Sequence, residues 1–289
     1  MAISASQVKE LRDKTGAGMM DCKKALSEAD GDFEKAVEIL RKKGASVAAK
    51  RAERTANEGI VLTKIIDDGK TGIIVEVNCE TDFVASSEDF LNFANFILSV
   101  VEKNKPANVD ALLDLELDGK KVSAELTDII GKIGEKIEVS RFSIEHTDNG
   151  LVVDYVHHGA KLAVLIKADN IPAEKKDEFG NLLKDIAMQA AAMKPQYLSR
   201  EDVPAVIVEK EKEIYKEVAS KEGKPENILD RIAEGKLNKF YEEVCLTDQA
   251  FIKENSKKVG ELINDFNKVN SAQAKLVLFH RYHLSDEKK

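Results

Sequence analysis

Apolar residues recur at helical spacing from the start of the chain. Val8 and Leu11 share one face of a segment that Ser4 is suited to cap. Lys14-Thr15-Gly16-Ala17-Gly18 interrupts that segment, because two glycines so close together disfavour helix. A second helix is predicted from Met19 to Ala29, and Asp30-Gly31-Asp32 then turns the chain. Phe33, Ala36, Val37 and Leu40 follow i, i+3, i+4, i+7, the apolar stripe of a third helix with Asp32 as its cap. Arg41-Lys42-Lys43 suit a helix C-terminus, and Gly44 reads as its end. Residues 1–44 therefore form a three-helix unit with a small core, marginal unless it docks on something. Residues 45–57, rich in Ala and basic at Lys50, Arg51 and Arg54, read as a connector that is helical in part.

The period changes at Gly59. Ile60 to Ile66 is β-branched and strand-like, Asp67-Asp68-Gly69-Lys70 is a hairpin turn of the Asp-Gly kind, and Gly72 to Asn78 is a second strand. Residues 88–103 form an amphipathic helix with Phe90, Phe93, Ala94, Ile97 and Val101 on its buried face, and helical stretches follow at 107–116 and 121–133. The pattern then recurs. Strand-like segments lie at 137–145, 150–157 and 161–168, before a helix at 174–193 that turns Phe179, Leu182, Leu183, Ile186 and Ala190 inward. At an offset of 89 residues Val77 matches Ile166, Phe90 matches Phe179, Ile97 matches Ile186 and Pro106 matches Pro195. Gly59-Ile60-Val61 resembles Gly150-Leu151-Val152 at a slightly different offset. Two related subdomains are expected, one at 58–136 and one at 137–199 completed by 247–283; chance likeness of two hairpin–helix units is the alternative.

Between them, 200–246 reads as an inserted helical hairpin. Val203, Ile207, Ile214 and Val218 form one stripe, Gly223-Lys224-Pro225 breaks it, and Leu229, Ile232, Leu237, Phe240 and Val244 form the second. A short helix at 256–268 and a strand at 275–282 follow, and the polar tail 284–289 is expected to be disordered. The fold class is α+β: an N-terminal three-helix bundle, then a core of two related antiparallel-sheet-plus-helix subdomains with an inserted helical hairpin.

Composition narrows the function. Residues 1–54 hold 12 Lys/Arg against 9 Asp/Glu, whereas the remainder holds 32 against 43. An acidic body argues against nucleic-acid binding and suits a protein partner. Nothing approaches the roughly 20 apolar residues that span a bilayer, and the start has no export signal, so no membrane association and a cytoplasmic address are expected. Cys22, Cys79 and Cys245 have no metal-site spacing and read as reduced thiols. Gly69-Lys70-Thr71 lacks the earlier glycine of a phosphate loop, since Lys64 stands there. His157 and His158, placed on a strand, face opposite sides and cannot chelate one metal together. No catalytic set is legible, and no cofactor or metal is expected. The expectation is a protein without covalent chemistry. Self-association is left open.

Glu76-Val77-Asn78-Cys79-Glu80-Thr81-Asp82-Phe83-Val84 is the most informative stretch. A buried strand ends near Asn78, and Thr81 to Val84 then lies between that strand and the next helix. Two arrangements fit the residues: Phe83 turns back into the core, or it stands outward beside Asp82 as a knob for another protein's pocket. The pair Met19-Met20 has the same two options, core or adaptable contact surface.

Thr15-Gly16-Ala17-Gly18-Met19-Met20-Asp21-Cys22-Lys23-Lys24-Ala25-Leu26 and Val75-Glu76-Val77-Asn78-Cys79-Glu80-Thr81-Asp82-Phe83-Val84-Ala85 resemble, in order and spacing, two signatures of the bacterial elongation factor Ts family. The likeness continues through His158-Gly159-Ala160, the helix end from Ala187 to Pro195, and Gly223-Lys224-Pro225, over roughly residues 2–280. The resemblance implies a ubiquitin-associated-like first module that docks on the GTPase domain of elongation factor Tu through Leu11, Met19 and Met20. It implies that Thr81, Asp82, Phe83 and Val84 push in near the partner's Mg²⁺, with Asp82 and Phe83 as the intruders. It implies that His158 leans on another domain of the partner. The expected role is guanine nucleotide exchange in translation elongation; a general interaction module for ubiquitin-like partners is the alternative. The run from Arg281 to Lys289 departs from the Gly-Glu-Gly-containing stretch and further helix of many members, which leaves any partner contact made there open.

Overall fold

The computed structural model describes residues 3–286. Three helices open the chain: α1 (Ala5–Thr15), α2 (Met19–Glu28) and α3 (Phe33–Arg51). Ser4 caps α1 in a reciprocal pair with Gln7, and Asp32 caps α3 by accepting from the Glu34 and Lys35 N–H groups. Val8, Leu11, Cys22, Ala25, Leu26 and Ala36 close the small core between them. Gly44 does not end the third helix, as its sequence suggested. α3 runs on to Arg51, so 45–51 of the expected connector is helix. Gly44 serves packing instead. It is buried where α3 crosses a core helix, and a Cβ on the facing Gly131 would sit 2.8 Å from the Gly44 Cα. Two glycines let the backbones touch there.

The core follows as β1 (Glu58–Ile66), β2 (Thr71–Cys79), the single-turn α4 (Asp82–Ala85), α5 (Glu88–Asn104), α6 (Val109–Asp114), β3 (Glu116–Leu117), β4 (Lys120–Lys121), α7 (Val122–Ile133) and β5 (Ile137–His146). The second half is β6 (Leu151–Val156), β7 (Leu162–Asp169), α8 (Lys176–Met193), α9 (Ala205–Lys221), α10 (Leu229–Val244), β8 (Ala250–Phe251), β9 (Glu254–Lys258), α11 (Val259–Asn270) and β10 (Lys275–His283). Two three-stranded antiparallel sheets result, ordered β1-β2-β5 and β10-β7-β6. The strand at 137–146 thus lies in the first sheet, paired along β2, and not at the head of the second subdomain where the sequence reading put it. The reason is topological: each hairpin leaves one edge of its second strand open, and the chain returns to that edge after its helices. β5 does so on β2, and β10 does so on β7.

The repeat is visible residue by residue. Val77 and Ile166 lie on the two central strands, and Phe90 and Phe179 are fully buried on the helices that follow. Lys105 and Lys194, at the same offset, both end their helices in the left-handed conformation just before a proline. Gly59 and Gly150 each press against the neighbouring strand so closely that a Cβ would overlap a carbonyl oxygen, of Val77 and Ala168 respectively.

Each central strand is covered on both faces. Ile73, Val75, Val77 and Cys79 pack under α5, whereas Val164, Ile166 and Ala168 pack under α8. Between the sheets lie Val61, Ile74, Val152, Ala163, Leu165, Tyr282 and Leu284. Polar pairs surround this layer: buried Glu76 accepts from Arg141 Nε at 2.8 Å, and Glu145 pairs with Lys167 and His280. Leu284 is buried and donates its N–H to the Lys161 carbonyl, and Asp286 pairs with Arg281. Residues 284–286 of the expected disordered tail are therefore packed, because Leu284 fills the inter-sheet layer; 287–289 lie outside the described residues. Helices α9 and α10 pack on each other through buried Ala219 and Ala233, with their base held by Val203, Val244 and Cys245.

Candidate functional site: an outward aromatic on a clamped turn

β2 ends at Cys79, and the next residues are tied down in every direction but one. The Glu80 carboxylate accepts from Arg51 Nη1 at 2.8 and 2.9 Å, from Arg54 Nη1 at 3.0 Å and from the Lys136 N–H at 2.7 Å. Burial opposes its charge, but the Lys136 N–H and the two guanidinium groups outweigh that and hold its pKa below the ordinary value. Thr81 donates its N–H and its hydroxyl to Glu135, at 3.1 and 2.8 Å, and its oxygen accepts the Val84 N–H to cap α4. Ser87 caps α5 immediately afterwards. Burial pushes the Cys79 thiol up to about 12, with Glu135 adding to the effect, so it stays protonated and donates to the Thr81 carbonyl at 3.2 Å.

Between these anchors one helical turn projects. Val84 faces the core cluster, whereas Asp82 is exposed and Phe83 is 84% exposed. The geometry takes the outward option of the two that the sequence allowed. A large ring held in water on a rigid mount forgoes about 1.5–3 kcal/mol of burial free energy.

The N-terminal module borders the same place. Arg12, Asp13 and Gly16, at the end of α1, line a groove with Phe83, Val84 and Lys132. Met19 and Met20 follow within four residues, at 58% and 74% exposure on the first turn of α2. Leu11, expected with them as a docking residue, is fully buried in the bundle core. Its stripe with Val8 belongs to the inward face of α1, so it supports the module and offers no contact surface.

His158 is exposed, in the turn between β6 and β7. The strand ends at Val156, so neither His157 nor His158 is on a strand as supposed, and the face argument against a shared metal does not apply to them. The turn is stitched to the first sheet: the Val61 N–H donates to the Ala160 carbonyl at 2.7 Å, and Lys161 pairs with Glu58 at 2.6 Å. Glu58 is the register partner of Cys79. The Glu58 hydrogen bond, with smaller contributions from Asp82 and Cys79, raises the Lys161 pKa. The His158 turn and the Phe83 turn thus stand at one end of the paired sheets, with Met19 and Met20 three and four residues beyond Gly16, which lines the groove with Phe83.

The anchors Arg51, Arg54, Glu80, Glu135 and Lys136 were not singled out as a set by sequence. Their partners lie 26 to 56 residues apart, and no local spacing marks them. Among the described residues no three His, Cys, Asp or Glu side chains are placed to hold a metal ion, and no helix is long and apolar enough to cross a membrane.

Comparison with known proteins gives this end of the molecule a context. The family model described as Elongation factor TS matches residues 80–286, beginning at the clamped glutamate. The chain belongs to the elongation factor Ts family. It is 47% identical over 289 residues to an elongation factor Ts of Chloroherpeton thalassium, covering 99% of each chain. The identity is 48% over 286 residues to that of Chlorobaculum parvum and 49% over 287 to that of Chlorobaculum tepidum, each covering 98% of both chains. Elongation factor Ts is a nucleotide exchange factor of translation elongation.

Proposed function

We propose that this elongation factor Ts family member binds elongation factor Tu carrying GDP and promotes release of the nucleotide by inserting Thr81–Val84 beside the partner's Mg²⁺. The observation that carries the reading is Phe83, exposed on a single turn whose flanking residues are clamped. Mg²⁺ demands near-ideal octahedral coordination at about 2.0–2.1 Å, so a small displacement of the partner's ligands weakens it. Loss of the cation leaves the diphosphate charge uncompensated and loosens GDP. Asp82 and Phe83 are the intruding side chains, Met19 and Met20 dock the GTPase domain, and His158 meets a second region of the partner. Leu11 has no part in docking and keeps the module folded. The chain makes and breaks no covalent bond, and the exchange needs no cofactor of its own.

Linkage fixes the order of affinities. A factor that weakens GDP binding is itself weakened by GDP to the same degree, so nucleotide-free partner binds most tightly and either nucleotide displaces the factor. The deciding experiment is release of labelled GDP from purified elongation factor Tu with and without this protein. Acceleration at micromolar factor is expected; no acceleration would overturn the proposal. The exposed Met19-Met20 pair also suits a general interaction module for ubiquitin-like folds. Under that alternative, added GDP does not compete with binding.

A further inference from the structure

The N-terminal module rests on the core along a seam formed mainly by α3 and α7. At its centre α3 crosses α7 with Gly44 against Gly131. On one side of the seam a cleft of about 470 Å³ opens, with Val37 and Leu40 of the module facing Phe93, Phe96 and Ile129 of the core. The far end of α3 is held separately, by Val47 and Ala48 packed on the core and by Arg51 on Glu80. Along this same cleft a long side chain reaches from the core to the module. Lys132, at the end of α7, donates to Asp89 in the first turn of α5 at 2.6 Å. Its stem lies across the bare backbone of Gly16, whose Cβ, if present, would be 2.5 Å from Lys132 Cε and 2.8 Å from Cδ. Gly16 ends α1 in the left-handed conformation, a position that leaves no side chain in the way. Lys132 is two-thirds buried between the two bodies.

This peg sits between the two exposed contact regions. It lines the same groove as Phe83 and Gly16. Met19 is three residues beyond Gly16, at most about 11 Å along the chain. We propose that Lys132 is a positioning residue for nucleotide exchange: by bridging Gly16 and Asp89 it fixes the spacing between Met19-Met20 and Phe83, so that docking of the module delivers the aromatic in register. The proposal rests on the exchange reading above. Its physical basis is effective concentration, since a second contact on a rigid tether is presented at far higher local concentration than one on a swinging arm. An ion pair whose carboxylate is 45% exposed adds little to stability, so the role of Lys132 is geometric: a misplacement of about 1 Å at a reacting centre can cost on the order of a hundredfold in rate.

The test compares Lys132→Ala and Lys132→Arg with the parent chain. Spin labels at Lys24→Cys on the module and Lys103→Cys on the core, both exposed, report the spacing by pulsed electron resonance, while Cys22, Cys79 and Cys245 are buried. In Lys132→Ala the distance distribution is expected to broaden. The rate of labelled-GDP release at saturating factor should fall about tenfold, with the half-saturating concentration nearly constant. Lys132→Arg, long enough to span the same gap, should restore both. A distribution as narrow as the parent's overturns the proposal, as does a broadened one with an unchanged maximal rate. A raised half-saturating concentration at an unchanged ceiling would make Lys132 a docking contact and overturn it too. Phe83→Ala runs in parallel: if that variant exchanges normally, the wedge reading fails first and the positioning role fails with it, while the distances alone still report whether Lys132 holds the module.

Discussion

Replacing Phe83 by alanine removes a ring that is 84% exposed in the free protein. Because the ring stabilises nothing at home, the variant should melt within about 0.5 kcal/mol of the parent. Its value appears on insertion. Moving a phenylalanine from water into an apolar pocket contributes about 1.5–3 kcal/mol, and almost the whole of that is still unclaimed in the free chain. At about 1.4 kcal/mol per tenfold, the maximal rate of GDP release should fall by roughly one to two decades. Docking through Met19, Met20 and the His158 turn is separate and should weaken much less. The control is seven residues away: Phe90 is fully buried under β2, and Phe90→Ala should cost about 3–5 kcal/mol of stability. The assay is stopped-flow release of labelled GDP over a range of factor concentrations, with thermal unfolding run on both variants. Equal losses in affinity and maximal rate for Phe83→Ala, or a melting loss comparable to that of Phe90→Ala, would refute the wedge.

Three further outcomes follow from the geometry. Leu11→Ala should destabilise the small bundle by about 2–5 kcal/mol, whereas Met20→Ala should leave melting unchanged and weaken docking by roughly 1 kcal/mol, about fivefold; calorimetric unfolding and titration of the partner separate the two, and a stable Leu11→Ala with lost docking would restore Leu11 as a contact. Arg141→Ala leaves Glu76, 1% exposed between the sheets, without its cation, and should cost about 3–5 kcal/mol in urea unfolding; a loss under about 1 kcal/mol would refute a stabilising role for the pair. The depressed pKa of Glu80 sets an acid limit. A carboxylate whose folded value is lowered lends its stability fully above the unfolded value and loses it as pH falls through the folded one. Proteolysis near Arg51 and Arg54 should therefore be flat from neutral pH down to about 5 and rise below the ordinary carboxylate range. Glu80→Gln should be cut readily at neutral pH as well, and unaltered resistance in that variant would refute the clamp.

Local pattern determined a good deal of this protein. The stripe Phe33, Ala36, Val37, Leu40, the Asp-Gly hairpin and the offset of 89 that pairs Phe90 with Phe179 each follow from rules acting within a few residues, so element types and the internal repeat are written in the chain itself. Tertiary structure decided what those rules leave degenerate. An inward and an outward apolar residue look alike in sequence, so only packing separates buried Leu11 from exposed Met20, or buried Phe90 from exposed Phe83. A glycine that ends one helix and a glycine that lets two helices touch are the same letter, and Gly44 became the second kind only once Gly131 lay opposite it. The strand at 137–146 looks equally at home in either sheet until the open edge of β2 claims it. The clamp on the Phe83 turn is likewise a product of distance in space, since Arg51, Glu135 and Lys136 reach Glu80 and Thr81 only after α3 and α7 have packed together.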